Sequence, residues 1–182
     1  MVNKTLKKVA IGVGLLVVAL FVAYKVLQSQ TKKASPEATV TYQKDGTDIS
    51  VFYCRPSKKG REIFGGLIPF GQVWRTGANE ATTFTTSKAL TIGGKTLPAG
   101  KYTLWTIPNK DNWKVIFNNQ QYDWGVSWGG VASREATADV LEVEVPVQTL
   151  PSSQEMFTIS FDAATSAMLL AWDTTGVSVP LQ

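Results

Sequence analysis

The chain has 182 residues and a formal charge of +4, from 18 lysines and arginines against 14 acids, a balance that invites a nucleic-acid reading. The distribution excludes it: residues 1–33 hold Lys4, Lys7, Lys8, Lys25, Lys32 and Lys33 and no acid, which leaves 12 bases against 14 acids, or −2, over residues 34–182. The absence of histidine removes a Ser-His-Asp triad, His-ligated zinc and a His proton shuttle, and a single cysteine, Cys54, allows neither an internal disulfide nor a thiolate metal cage.

Residues 9–24 read VAIGVGLLVVALFVAY without a charge, and the apolar stretch reaches Leu6 and Leu27 if Lys7, Lys8 and Lys25 snorkel to the headgroups. That approaches the ~20 residues a helix needs to span a bilayer core. The lysines ahead of the span predict a cytoplasmic segment 1–8, a transmembrane signal anchor over 9–27 and an extracytoplasmic remainder, although Lys25, Lys32 and Lys33 behind it weaken the charge asymmetry. A cleaved signal peptide, releasing a secreted domain, is the alternative. Against it, no clean small-residue cleavage site follows the run, and no cysteine follows for lipid attachment. A helix apolar all round and flanked only by lysines is also a poor core element. Gly12 and Gly14 would let a partner helix approach closely, though without the four-residue spacing of small-residue dimer motifs. Residues 28–38, QSQTKKASPEA, are polar and small and suit an exposed tether.

From residue 39 to 182 the pattern is of strands. ATVTYQ and DISVFYC flank Asp45-Gly46, a strong hairpin signal, and ALTI and KTL flank Gly93-Gly94. KYTLWTI, WKVIFN, VLEVEVPV, MFTISF and MLLAWD follow, with Leu141, Val143 and Val145 on one face and Glu142 and Glu144 on the other. Such alternation marks strands with one dry and one wet face. No segment here keeps a helical period. The expected architecture is one all-β antiparallel domain, a β-sandwich or jelly roll, behind one N-terminal transmembrane helix.

Residues 55–82, RPSKKGREIFGGLIPFGQVWRTGANEAT, interrupt this pattern with a long stretch poor in strand signals. Loops beyond ~15 residues in compact domains are functional or disordered, and the aromatic content of this one argues for order, with Phe64, Phe70 and Trp74 packing it. It gathers Arg55, Arg61, Arg75, Asn79 and Glu80. Because a guanidinium pairs bidentately with carboxylate or phosphate, two readings stand. Arg75, Asn79 and Glu80 tie the loop to the sheet through buried hydrogen bonds, or Arg55, Arg61, Arg75, Asn79 and Glu80 surround a pocket for an anionic or sugar-like ligand with Trp74 as its apolar wall. A carboxylate hydrolase would need Glu62, the only other acid in the segment, close to Glu80.

A second candidate is YDWGVSWGG, residues 122–130, where Tyr122, Trp124 and Trp128 either cap an open end of the domain or form an exposed contact for a sugar or a protein. Gly94-Lys95-Thr96 echoes a phosphate-binding loop, but Ala89 stands where the first glycine is required and a strand follows where a helix is needed. Cys54 reads as a buried structural thiol, with no histidine to activate it. The aspartates fit no calcium-loop spacing, and nothing points to a metal or cofactor.

The strings RPSKKGREIFG, IPFG, WRTGANEAT and IGGKTLPAGKYTLWTIP, with WKVIFN after them, are similar to the bacterial domain of unknown function 2911 family. The resemblance covers roughly residues 39–180 and is strongest over 55–118. It implies a secreted or membrane-associated all-β domain and no assigned activity. This chain departs from the pattern at Cys54, ahead of the Arg-Pro pair, and in its anchor-like N-terminus. The expectation is a single-pass inner-membrane protein with a periplasmic β domain that acts as a non-catalytic binding or structural module, such as an accessory subunit of a membrane protein complex. Its partners would be the bilayer and that complex, with no nucleic acid. A ligand-binding domain and a His-independent carboxylate hydrolase are the alternatives.

Overall fold

The computed structural model describes residues 3–182, so Met1 and Val2 of the expected cytoplasmic segment 1–8 lie outside the described residues. The chain divides into two compact units between Ala34 and Ser35.

The first unit is one helix, α1 (Lys4–Ala34). Asn3 caps it, its Oδ1 accepting from Thr5 N at 3.1 Å. Lys32 and Lys33 occupy the last turn, where cations oppose the helix dipole. The 31 residues extend ~46 Å at ~1.5 Å per residue, against a hydrocarbon core of ~30 Å. Apolar side chains from Leu6 to Leu27 are exposed along it. The helix is long and apolar enough to cross a membrane, a test a signal sequence also passes. It continues through residues 28–34 of the stretch read above as a tether, because Gln28, Lys32, Lys33 and Ala34 are good helix formers, and Pro36 stops it.

The second unit is antiparallel β throughout. Its strands are β1 (Glu37–Lys44), β2 (Thr47–Cys54), β3 (Thr83–Thr86), β4 (Leu90–Ile92), β5 (Lys95–Leu97), β6 (Gly100–Pro108), β7 (Asn112–Asn118), β8 (Asp139–Asp162) and β9 (Ala167–Pro180). Seven form one sheet in the order β1-β2-β3-β6-β7-β8-β9, and β4 and β5 make a separate two-stranded ribbon. Apart from that ribbon, each strand pairs with the next in sequence, so the topology is a meander. Asp45 and Gly46 (φ 52° and 70°) and Gly93 and Gly94 (φ 57° and 76°) turn the two tight hairpins through positive φ at both central positions, the geometry that matches strand twist.

The sheet curls until its two ends meet. Tyr42 on β1 stacks on Phe161 of β8 with centroids 5.1 Å apart, and Lys44 Nζ donates to Ser166 Oγ in the β8–β9 turn. β8 makes the curl possible. Its first part pairs with β7 and its second with β9, and register breaks at residues 149–154 and 154–158 bend it between the two.

The concave face carries the main core. Val51 and Tyr53 from β2, Phe84 from β3, Leu104 from β6, Trp113, Val115 and Phe117 from β7, Phe157 and Ile159 from β8 and Leu170 and Trp172 from β9 are all 1% exposed or less. β6 and β7 are buried on their other face as well. Trp105 and Ile116 there pack with Ala81, Val73, Tyr122 and Ala132, which come from the 55–82 loop and from the connection between β7 and β8. Of the two segments singled out in the sequence, 55–82 thus contributes to both faces of the sheet, and 119–138 roofs the outer one.

Candidate functional site

Residues 55–82 join β2 to its sheet neighbour β3 and are stitched down along their length. Residues 55–59 run beside β8: Arg55 donates from Nε to Phe157 O (3.4 Å) and from Nη2 to Thr158 Oγ1 (3.1 Å), Phe157 N donates to Pro56 O (2.9 Å), and Lys58 N donates to Glu155 O (2.7 Å). Lys58 also pairs with Asp173 at 2.6 Å, and Ser153 Oγ donates to the same carboxylate at 2.8 Å. Those two hydrogen bonds, the one from Lys58 first, hold Asp173 below the usual carboxylate range. Arg61 donates to Lys58 O (3.0 Å) and Ser57 O (2.6 Å) and closes a local turn on the surface.

The loop then enters the core. Phe64 and Trp74 join Trp113, Phe157 and Trp172 in a cage whose closest centroid pairs are Phe64–Trp113 at 4.7 Å and Trp74–Phe157 at 4.9 Å. Trp74 is 8% exposed, and its Nε1 donates to Gly77 O at 2.9 Å. It is a keystone of the core, in keeping with the reading in which it packs the loop, and the Trp74–Thr106 bridge places it beside β6.

After Trp74 the backbone is strained and enclosed. Thr76 and Asn79 both adopt φ of 56°, a left-handed conformation unfavourable for a β-branched residue such as Thr76. Neither is exposed, and Thr76 is fixed by Thr106 Oγ1 at 3.2 Å and by Thr82 Oγ1, which donates to Thr76 O at 2.7 Å. Glu80 accepts from the Cys54 thiol, with Sγ 3.3 Å from Oε2. Burial, then the bond to and charge of Glu80, push the thiol up to about 12. Cys54 is therefore a protonated donor at neutral pH and no nucleophile. Glu62 lies exposed on the 62–68 turn, where Leu67 N donates to its carbonyl at 3.0 Å.

Of the six residues expected around a pocket, Asn79 and Glu80 meet at Cys54, Arg55 is bound to β8, Arg61 to its own turn, and Trp74 lies inside. Arg75 differs from them. Its stem packs under Gly125, where a Cβ would stand 2.3 Å from Arg75 Cδ. Its Nε is buried with no hydrogen-bond partner, and burial pulls its pKa down.

In the 119–138 connection, Tyr122 has a scaffold role. Its ring meets Trp105 edge-on at 5.3 Å, and its hydroxyl bridges Asn118 Oδ1 (3.3 Å) and Glu135 N (2.9 Å). Trp124 is half-buried. Trp128 stands at the tip of a small hairpin closed by the Val126–Ala132 bridge and by Ser127 N donating to Val131 O at 2.8 Å. It is 102% exposed, with Val131 beside it at 67%. Among the described residues no group of three or more Cys, Asp or Glu side chains is placed to hold a metal ion.

Fold and surface define an all-β domain, carried behind an apolar N-terminal helix, whose chemistry-bearing side chains are largely engaged in its own scaffold. A family model described as "Protein of unknown function (DUF2911)" matches residues 35–181, and the chain belongs to that family. Comparison with curated proteins and with solved structures found no match.

Proposed function

We propose that the protein is a single-pass inner-membrane subunit whose periplasmic β domain is a non-catalytic binding module, an accessory part of a larger membrane assembly. The observation that carries this reading is Trp128, a fully exposed tryptophan raised on a hairpin tip whose removal would disturb nothing in the fold. Tryptophans presented this way are favoured as binding hot spots, since their large apolar area is gained on contact at little cost in side-chain entropy. Catalytic readings draw less support. The thiol is protonated and buried, Glu80 is occupied by that thiol, and Trp74 is enclosed. The helix supplies the anchor, with Lys4, Lys7 and Lys8 favouring a cytoplasmic N-terminus.

The test is purification of the full chain from native membranes in a mild detergent, beside Trp128→Ala. Wild type is expected to elute with a defined set of membrane proteins, and the variant, equally stable, to elute without them. A wild-type protein running alone contradicts the proposal.

A further inference from the structure

The outer face of the sheet holds two polar groups that the scaffold does not satisfy. Arg75 Nε and Trp105 Nε1 are both buried without a hydrogen-bond partner. They belong to one place. The antiparallel bridge between Trp74 and Thr106, with hydrogen bonds of 2.7 and 3.0 Å, sets their neighbours Arg75 and Trp105 beside each other on the face opposite the main core. Both lie beneath the same segment, Trp105 against Tyr122 and Ala132 and Arg75 against Gly125. Arg75 makes no ion pair with any described residue.

Two buried donors on one face of the sheet, one of them a cation, are costly unless something absent from the polypeptide supplies the acceptor. The surroundings are built to hold them in place. Strain at Thr76 and Asn79 fixes the backbone after Arg75, and only a glycine at 125 leaves room for the arginine stem. On this side the roof is joined to the 55–82 loop by Gly125 N donating to Asn79 O at 3.0 Å, and Ser133 N donates to Gly125 O at 3.2 Å within the roof itself.

We propose that Arg75 and Trp105 form the floor of an oxyanion site beneath residues 119–133, taking a carboxylate or phosphate group through the guanidinium fork and the indole N–H. The guanidinium supplies charge and planar geometry. The indole, which can only donate, selects an acceptor oxygen.

The experiment is thermal unfolding of the full chain in detergent, titrated with sodium phosphate or sodium acetate and compared with sodium chloride at equal ionic strength. The wild type should show a saturable rise in Tm with an oxyanion and none with chloride. A response to phosphate alone or to acetate alone assigns the group. Trp105→Phe, which keeps the ring and removes the N–H, should weaken the apparent affinity at least tenfold, and Arg75→Gln should abolish the response. An oxyanion response unchanged in Trp105→Phe and Arg75→Gln overturns the site. So does a wild type that responds to all three salts alike, which would mean that only water satisfies these donors, and this arm holds even if a variant fails to fold.

Discussion

At the scale of single residues, side chains that look equally ready to bind anything differ sharply in what they do. Trp74 and Trp128 both sit in glycine-rich segments, yet one is enclosed by four aromatic rings and the other by none. Trp74→Ala should cost about 3–5 kcal/mol in urea unfolding, the range for losing a large aromatic from a core. Trp128→Ala should stay within about 0.5 kcal/mol, as for a surface change without partners. Cys54 should resist iodoacetamide at pH 8 in the native protein and react once the protein is unfolded in urea. Its folded pKa lies above the unfolded value, so its contribution to stability is complete below the ordinary thiol pKa of ~8.5 and is lost as pH rises toward about 12. Asp173 works in the opposite direction. Its pKa is depressed by Lys58 and Ser153, so the stability it adds is present above the ordinary carboxylate value of ~3.9 and falls away as pH drops below it. Asp173→Asn should flatten the acid limb of a Tm-against-pH curve measured below about pH 4.

At the scale of elements, the roof over β6 and β7 is the most sensitive piece. A methyl group at Gly125 would meet Arg75 Cδ at 2.3 Å, so Gly125→Ala should push residues 119–133 outward. Amide exchange within that segment should then speed up while β6 and β7 stay protected. The strands themselves were largely legible. Alternating apolar residues and the turns at Asp45-Gly46 and Gly93-Gly94 mark β1, β2 and β4 to β7 close to their observed ends. β3 was not, because Thr83–Thr86 is short, threonine-rich and joined to the long loop. The unity of β8 was hidden too, since VLEVEVPV and MFTISF read as two separate strands, whereas in the fold they belong to one strand, bent at the register shifts between residues 149 and 158. The site was legible only in outline. The sequence left Trp128 open between capping an end of the domain and standing exposed, and nothing near Trp74 shows that a loop residue fills the core. The placing of Arg75 and Trp105 on one face depends on the bridge between Trp74 and Thr106, far apart in sequence, and the close packing of Gly125 on Arg75 could not be read from either segment alone.

At the scale of the whole molecule, the +4 charge describes no surface of the β domain, since it resolves into a basic terminus and a slightly acidic remainder. If the helix anchors the chain, alkaline carbonate should leave the protein in the membrane pellet, and its mature N-terminus should retain residues 1–8. A cleaved leader would instead give a soluble protein beginning after the apolar run. The curled sheet presents its aromatic core inward and offers Trp128 outward, so partner contact should be concentrated at that tip. The most direct measurement is site-specific photo-crosslinking in intact membranes, with the reactive residue at position 128 and, as a control, at exposed Lys110. One discrete adduct with a membrane protein from position 128, absent from position 110, is the predicted result. No adduct at 128, or the same adducts at both positions, would contradict the account.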